Sequence, residues 1–171
     1  MPKPIALKGA PGSPYTRKML AVLRYRHIPY RLMVGAAAER AGLPKPAVEL
    51  LPTFYLSNTE GELEAVTDST PLIRRFEREV EGRSVLPSDP IMRFVDSLLE
   101  DYADEWVTKA MFHYRWHYAR DIEKAGDILP LQYTGICTPE AAVSLAKIQF
   151  TQRQTGRLGI VGSNPTTAPL I

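Results

Sequence analysis

Ten residues near the N-terminus, Gly9-Ala10-Pro11-Gly12-Ser13-Pro14-Tyr15-Thr16-Arg17-Lys18, turn a short apolar strand directly into a helix. Ile5-Ala6-Leu7 is the strand, and two glycines allow the tight exit from it. Ser13 stands where a helix takes its N-cap, with Pro14 at the first helical position. Tyr15, Met19, Val22 and Leu23 then recur at helical spacing and give that helix one apolar face. A hydroxyl at such a helix start sits among unpaired backbone N–H groups and the positive end of the helix dipole, a place suited to a thiolate or a carboxylate.

The next segments constrain the topology. His27-Ile28-Pro29 interrupts the helical pattern, and Tyr30-Arg31-Leu32-Met33-Val34 reads as a second strand. Strand, helix and strand within thirty-odd residues make a βαβ unit with parallel strands. Residues 36–50 are Ala-rich, then broken by Gly42, Pro44 and Pro46, which implies a short or irregular second helix. Thr53 to Ser57 and Glu62 to Val66 flank the turn Asn58-Thr59-Glu60-Gly61 as a hairpin. Asp68-Ser69-Thr70-Pro71 caps a third helix through Leu72, Ile73, Phe76 and Val80. The order predicts a four-stranded mixed sheet with helices on its faces over residues 1–81. Residues 82–89 are a linker by composition, and residues 90–171 are helical, with an irregular tail from about 157. Pro90 opens a long helix through Met111, residues 119–138 are polar and broken, and Pro139 begins another helix through Phe150.

Composition narrows the function classes. A chain of 171 residues, 44% of them hydrophobic, can bury a real core. Its net charge is +2, with 12 basic against 9 acidic side chains up to Gly82 and 9 against 10 beyond, so neither half carries the footprint of a nucleic-acid or anionic-membrane binder. One cysteine, Cys137, leaves no internal disulfide and no C-x-x-C pair. No apolar run approaches a bilayer span and Met-Pro-Lys-Pro-Ile has no signal-peptide core, so the expectation is a cytoplasmic protein with no membrane partner.

Three motifs carry a family resemblance: Ser13-Pro14-Tyr15-x-x-Lys18 after the first strand, Leu51-Pro52 before the third, and Asp68-Ser69 at the third helix. In this order and spacing the chain resembles the glutathione S-transferase superfamily. Its first 81 residues resemble the thioredoxin-like α/β domain (βαβ-α-ββα), and residues 90–154 the start of the all-α domain, here shortened. The resemblance implies a serine-type transferase that activates glutathione, as co-substrate and without a metal, against a small hydrophobic electrophile held under the second domain. It gives Ser13 the catalytic place, its hydroxyl hydrogen-bonding the glutathione sulfur. Leu51, before a cis-Pro52, would pair its backbone with the cysteinyl part, and Asp68 and Ser69 would hold the γ-glutamyl end. Where members often carry a lysine or polar donor for the glycine carboxylate, this chain has Glu49 and Leu50, which leaves Lys45 to reach across. A homodimer is expected from the resemblance alone.

Each candidate has a plainer reading. Ser13 is also an N-cap, and Asp68-Ser69 is also a helix start, a role compatible with binding. Tyr15 offers a competing hydroxyl, but its spacing with Met19 favours the core. Ser13-Pro14-Tyr15-Thr16 stands where thioredoxin-fold redox enzymes carry C-P-Y-C, and without sulfurs it excludes dithiol exchange. His113 and His117, four apart among Phe112, Tyr114, Trp116 and Tyr118, read as packing or a hydrophobic wall rather than a metal site. Asp96, Glu100, Asp101, Asp104 and Glu105 read as a solvated helical stripe, and Cys137 has no base nearby in sequence. The alternative to a transferase is a non-catalytic binding or interaction module of the same fold. A glutathione-dependent peroxidase or isomerase on this scaffold is the third.

Overall fold

The computed structural model describes residues 3–133 and 138–171, so Cys137 lies outside the described residues. The chain divides into two units, Met1–Arg93 and Phe94–Ile171. In the first, β1 (Ile5–Lys8), α1 (Pro14–Tyr25) and β2 (Tyr30–Met33) form the βαβ unit. A single helical turn, α2 (Ala37–Arg40), follows, then the hairpin β3 (Thr53–Ser57) and β4 (Leu63–Val66), then α3 (Ser69–Glu79). The sheet order is β2-β1-β3-β4, with β1 and β2 parallel and the other pairs antiparallel. This is the mixed four-stranded sheet of a thioredoxin-like domain.

Burial follows the strand period. Leu7 and Phe54 pair across the central strands and are wholly buried, and they pack with Met19, Leu20 and Leu23 of α1 and with Leu72, Ile73 and Phe76 of α3. The opposite face carries a smaller cluster of Met33, Ala38 and Tyr55 under α2. With both faces covered, β3 reads as a continuous apolar run, buried from Thr53 to Leu56.

Beyond α3 the chain is tied down through Arg26, at the C-cap of α1 and buried. Its guanidinium donates to the carbonyls of Val80 and Gly82, and it lies 2.8 Å from Glu77 Oε1. The Glu77 contact is ionic, since Nη1 is not aligned for a hydrogen bond. Glu77 in turn accepts from the Val85 N–H at 3.1 Å and the Ser84 hydroxyl at 2.5 Å. The residues that read as a linker therefore start as an ordered extension of α3.

The second unit is helical. α4 (Pro90–Tyr102), which spans the division between the units, leads into a π-helical turn, Ala103–Val107, and then α5 (Thr108–Trp116). The continuous helix expected from Pro90 is thus interrupted by a turn in which the Thr108 hydroxyl takes the Asp104 carbonyl. No residue of α4 is buried, and Ile91, Phe94, Leu98, Leu99 and Tyr102 are exposed.

Residues 119–133 depart from expectation, and 134–137 lie outside the described residues. The structure holds α6 (Ala119–Ile128) and a 3₁₀ turn, Pro130–Tyr133, in a stretch that reads as polar and broken. Gly126, a breaker by type, lies against α7 (Glu140–Thr155), where an added Cβ would lie 2.7 Å from Thr151 Oγ1. Packing contact, not propensity, makes this helix. Trp116, nearly inaccessible, meets Phe150 of α7 with ring centroids 5.8 Å apart.

The unpatterned tail is held to α5 by two polar contacts. His113, wholly buried, places Nδ1 2.7 Å from Ser163 Oγ, and the Tyr114 hydroxyl donates to the Ile171 carbonyl at 2.6 Å. Among the described residues, His113 Nε2 has no hydrogen-bond partner. The ring stacks on His117 at 4.4 Å and meets Tyr114 and Tyr118 edge-on. Burial first, and then the His117 charge, lowers the His113 pKa below its ordinary 6.5.

Arg26→Met leaves Glu77 without its cation, and should lower stability in urea titration by about 3 kcal/mol. Arg75→Ala, at a partly exposed pairing with Glu64 and Glu79, should cost no more than about 1 kcal/mol. For His113, the unfolded chain takes up the proton at a higher pH than the folded one. Stability should therefore fall as pH drops below the ordinary value, by at most about 1.4 kcal/mol per pH unit. Urea midpoints compared between neutral and mildly acidic buffer check it, and His113→Asn should flatten that dependence.

Candidate functional site

The site candidates are arranged by strand direction. Because β1 and β3 are antiparallel, the end of β1 pairs with the start of β3, Lys8 opposite Thr53. The end of β4 returns to the same edge, with Val66 opposite Phe54. The turn after β1, the Leu51-Pro52 segment before β3 and the Asp68-Ser69 start of α3 therefore all leave the sheet at one edge. The register of β1, β3 and β4 thus puts sequence positions 13, 51–52 and 68–69 beyond the same end of the sheet.

At the first of these, Ser13 has extended backbone and its Oγ accepts from the Thr16 N–H at 3.3 Å, with Pro14 at the helix start. Thr16, fully buried, accepts the Ala10 N–H at 3.3 Å and so pins the turn from below. Ser13 is half-buried, and a hydroxyl that accepts one hydrogen bond keeps its own proton to donate. Tyr15 is also half-buried, one turn before the inaccessible Met19.

The Leu51-Pro52 bond is cis. Thr53 fixes the chain there, its hydroxyl donating to the Leu50 carbonyl at 2.7 Å. Glu49 and Leu50 are exposed. Lys45 is exposed as well. Its electrostatic influence falls on Glu39, which is paired with Lys8, and the Lys8 hydrogen bond is the main cause of the lowered Glu39 pKa.

At the third segment, Asp68 is the N-cap of α3 and accepts from the Thr70 N–H at 3.3 Å. It does so at φ 79° and ψ 121°, a region that L-residues rarely occupy and that costs about 1–3 kcal/mol unless the surroundings impose it. Ser69, buried, accepts a hydrogen bond at 3.1 Å from the Lys18 ammonium of α1. That bond joins the starts of α1 and α3 across 51 residues of sequence. Spacing along α1 gives Lys18 no role by itself, because its partner is chosen only when α3 packs beside α1. Among the described residues, no group of three or more His, Cys, Asp or Glu could hold a metal ion, and no helix is long and apolar enough to cross a membrane.

Residues 7–84 match the family model of the glutathione S-transferase N-terminal domain. Among solved structures, the chain is similar to maleylacetoacetate isomerase from Anaeromyxobacter dehalogenans 2CP-1 with glutathione bound in the active site. The identity is 15% over 88% of this chain and 82% of that one, with a TM-score of 0.49. A second structure of that enzyme, with dicarboxyethyl glutathione and citrate in the active site, is 14% identical over 88% of this chain and 78% of that one, again with a TM-score of 0.49. No curated protein matches the chain.

The tight exit from β1 generates a prediction of its own. A Cβ at Gly9 would lie 2.7 Å from Thr16 Cγ2 and 3.1 Å from Leu32 Cδ1. Gly9→Ala should therefore push the first turn of α1 away from the sheet and cost about 1–3 kcal/mol. The expected reading is a lower urea midpoint with an unchanged slope.

Proposed function

We propose, on the premise that residues 7–84 belong to the glutathione S-transferase N-terminal domain family, that this chain binds glutathione at the edge where β1, β3 and β4 meet their helices. It then activates the glutathione thiol as a transferase. The observation that carries this reading is the convergence of two capped helix starts and the Leu51-Pro52 segment on one sheet edge. Two helix N-termini present the partial positive charge of their dipoles to an anionic peptide.

In this reading the Ser13 hydroxyl donates a hydrogen bond to the glutathione sulfur and favours the thiolate, helped by the N-terminus of α1. A free thiol titrates near ~8.5, so these interactions raise the thiolate fraction at neutral pH. The thiol proton passes to solvent, and the sulfur electron pair forms a C–S bond with a small hydrophobic electrophile. Leu51 pairs its backbone with the cysteinyl unit, Pro52 shapes that strand start, and Asp68 and Ser69 hold the γ-glutamyl end. Lys45 takes the glycine carboxylate, and Tyr15 stands as a second hydroxyl beside Ser13. A cytoplasmic homodimer is part of the same proposal, supported by the exposed apolar residues of α4. Glu49, an exposed carboxylate three residues before Pro52, favours the second reading, a glutathione-transferase-fold module without activity.

The test is the ultraviolet difference spectrum of bound glutathione thiolate, titrated with pH in the wild type and in Ser13→Ala. A thiolate signal with a midpoint at least about one pH unit below ~8.5, lost in Ser13→Ala, supports the transferase. Absence of glutathione binding at millimolar concentration overturns it in favour of the second reading.

A further inference from the structure

Residues 157–171 enter the interior of their unit at one point. Ser163 is the single buried residue among them, whereas Ile160 and Leu170 keep 80% and 83% of their surface. The backbone hydrogen bonds of this stretch run within it or to the end of α7, as from Arg157 to Gln154, Leu158 to Thr155 and Ser163 to Leu158. Among the described residues, its side-chain ties to α5 are His113 Nδ1 to Ser163 Oγ at 2.7 Å and the Tyr114 hydroxyl to the Ile171 carbonyl at 2.6 Å. A segment with so little buried surface opens at a fraction of the cost of unfolding the unit.

His113 couples that opening to a proton. The neutral ring satisfies Nδ1 through Ser163 and leaves Nε2 unpartnered. An imidazolium carries two N–H donors and a full charge. Ser163 can accept from one of them, but the Nε2–H would then be a charged donor with no acceptor in a place with no accessible surface. The rings around it offer no counter-charge: His117 stacks on it, and Tyr114 and Tyr118 meet it edge-on. The neighbouring elements carry Asp104 and Glu105 in the π-helical turn, Lys109 and Arg115 in α5, and Arg120, Asp121, Glu123, Lys124 and Asp127 in α6. Glu140, Lys147 and Arg153 of α7 and Arg157 of the tail complete the set. None of these forms an ion pair with His113 among the described residues, and the charge that acts on it, His117, opposes the proton.

We propose that His113 and Ser163 form a proton-operated latch: when the buried imidazole takes up a proton, residues 157–171 lift off α5 and the ring meets water, while α5, α6 and α7 stay packed. Water then supplies the acceptor that Nε2–H lacks. The helices keep contacts in which the tail takes no part, Trp116 against Phe150 and Gly126 against Thr151. The closed form holds the proton less well than the open one, so acid favours opening, by up to about tenfold in population per pH unit. The device is independent of what the first unit binds.

Hydrogen exchange of the full chain, read peptide by peptide by mass spectrometry and corrected for intrinsic exchange, tests the latch between about pH 7.5 and about pH 5.5. Protection of the 158–171 peptide should fall by up to about tenfold per pH unit below ~6.5, while that of α7 holds. His113→Asn and His113→Gln, which cannot take a charge, should keep the tail's protection level across the range. Ser163→Ala leaves the titrating ring in place and removes the tie, and should speed tail exchange at neutral pH by about threefold or more, the size of one hydrogen bond. Tail protection that does not change with pH, or a fall shared equally by α7, overturns the latch. So does a fall that persists in the His113 variants, or tail exchange at neutral pH unchanged in Ser163→Ala.

Discussion

The antiparallel pairing of β1 with β3 is the constraint on which the first unit depends. Leu7 and Phe54 face each other across it with no accessible surface, and Phe54 meets the Phe76 ring of α3 at 5.6 Å. This contact seats the helices that pack on the larger face of the sheet. The same pairing sets the register, and a one-residue slip would send Leu7 and Phe54 to the opposite face. Apolar packing thus fixes where Ser13, Pro52 and Ser69 emerge, although none of them belongs to the central cluster.

Polar groups are used sparingly but at decisive points. Thr16 pins the turn that presents Ser13, Thr53 pins the segment that presents Pro52, and Lys18 pins Ser69. Each is a side chain from one segment of the chain satisfying a backbone or hydroxyl group of another. Arg26 does the same for residues 77–85, joining the end of α1 to the end of α3. Buried polar groups of this kind are costly when unpaired, so each restricts the chain to the arrangement that pairs it.

The second unit shows the same logic with less apolar material. His113 and Ser163 tie a tail without periodicity to α5, and Gly126 lets α6 approach α7. Ile122, Ala125 and Leu129 do recur at helical spacing within 119–138, but Gly126 and the surrounding charges hide the pattern in a one-dimensional reading. What makes α6 a helix is a neighbour at the right distance. The π-helical turn at 103–107 is equally silent in sequence, because its residues are ordinary helix formers.

By itself, the sequence determined the elements with strong local signals. The proline and serine at the start of α1, the hairpin turn after β3 and the aspartate before α3 are stereochemical instructions that need no distant partner. The parallel β1–β2 pair follows from the length of their crossover, and the mixed sheet from the hairpin that follows. Only tertiary structure decided which side chains meet: Lys18 with Ser69, Arg26 with Glu77 and His113 with Ser163. These pairs span about fifty residues each, and sequence spacing carries no information about a contact that exists only after two helices or a helix and a tail have packed. Local geometry is written in residue types, whereas long-range polar pairing depends on the positions that packing gives them.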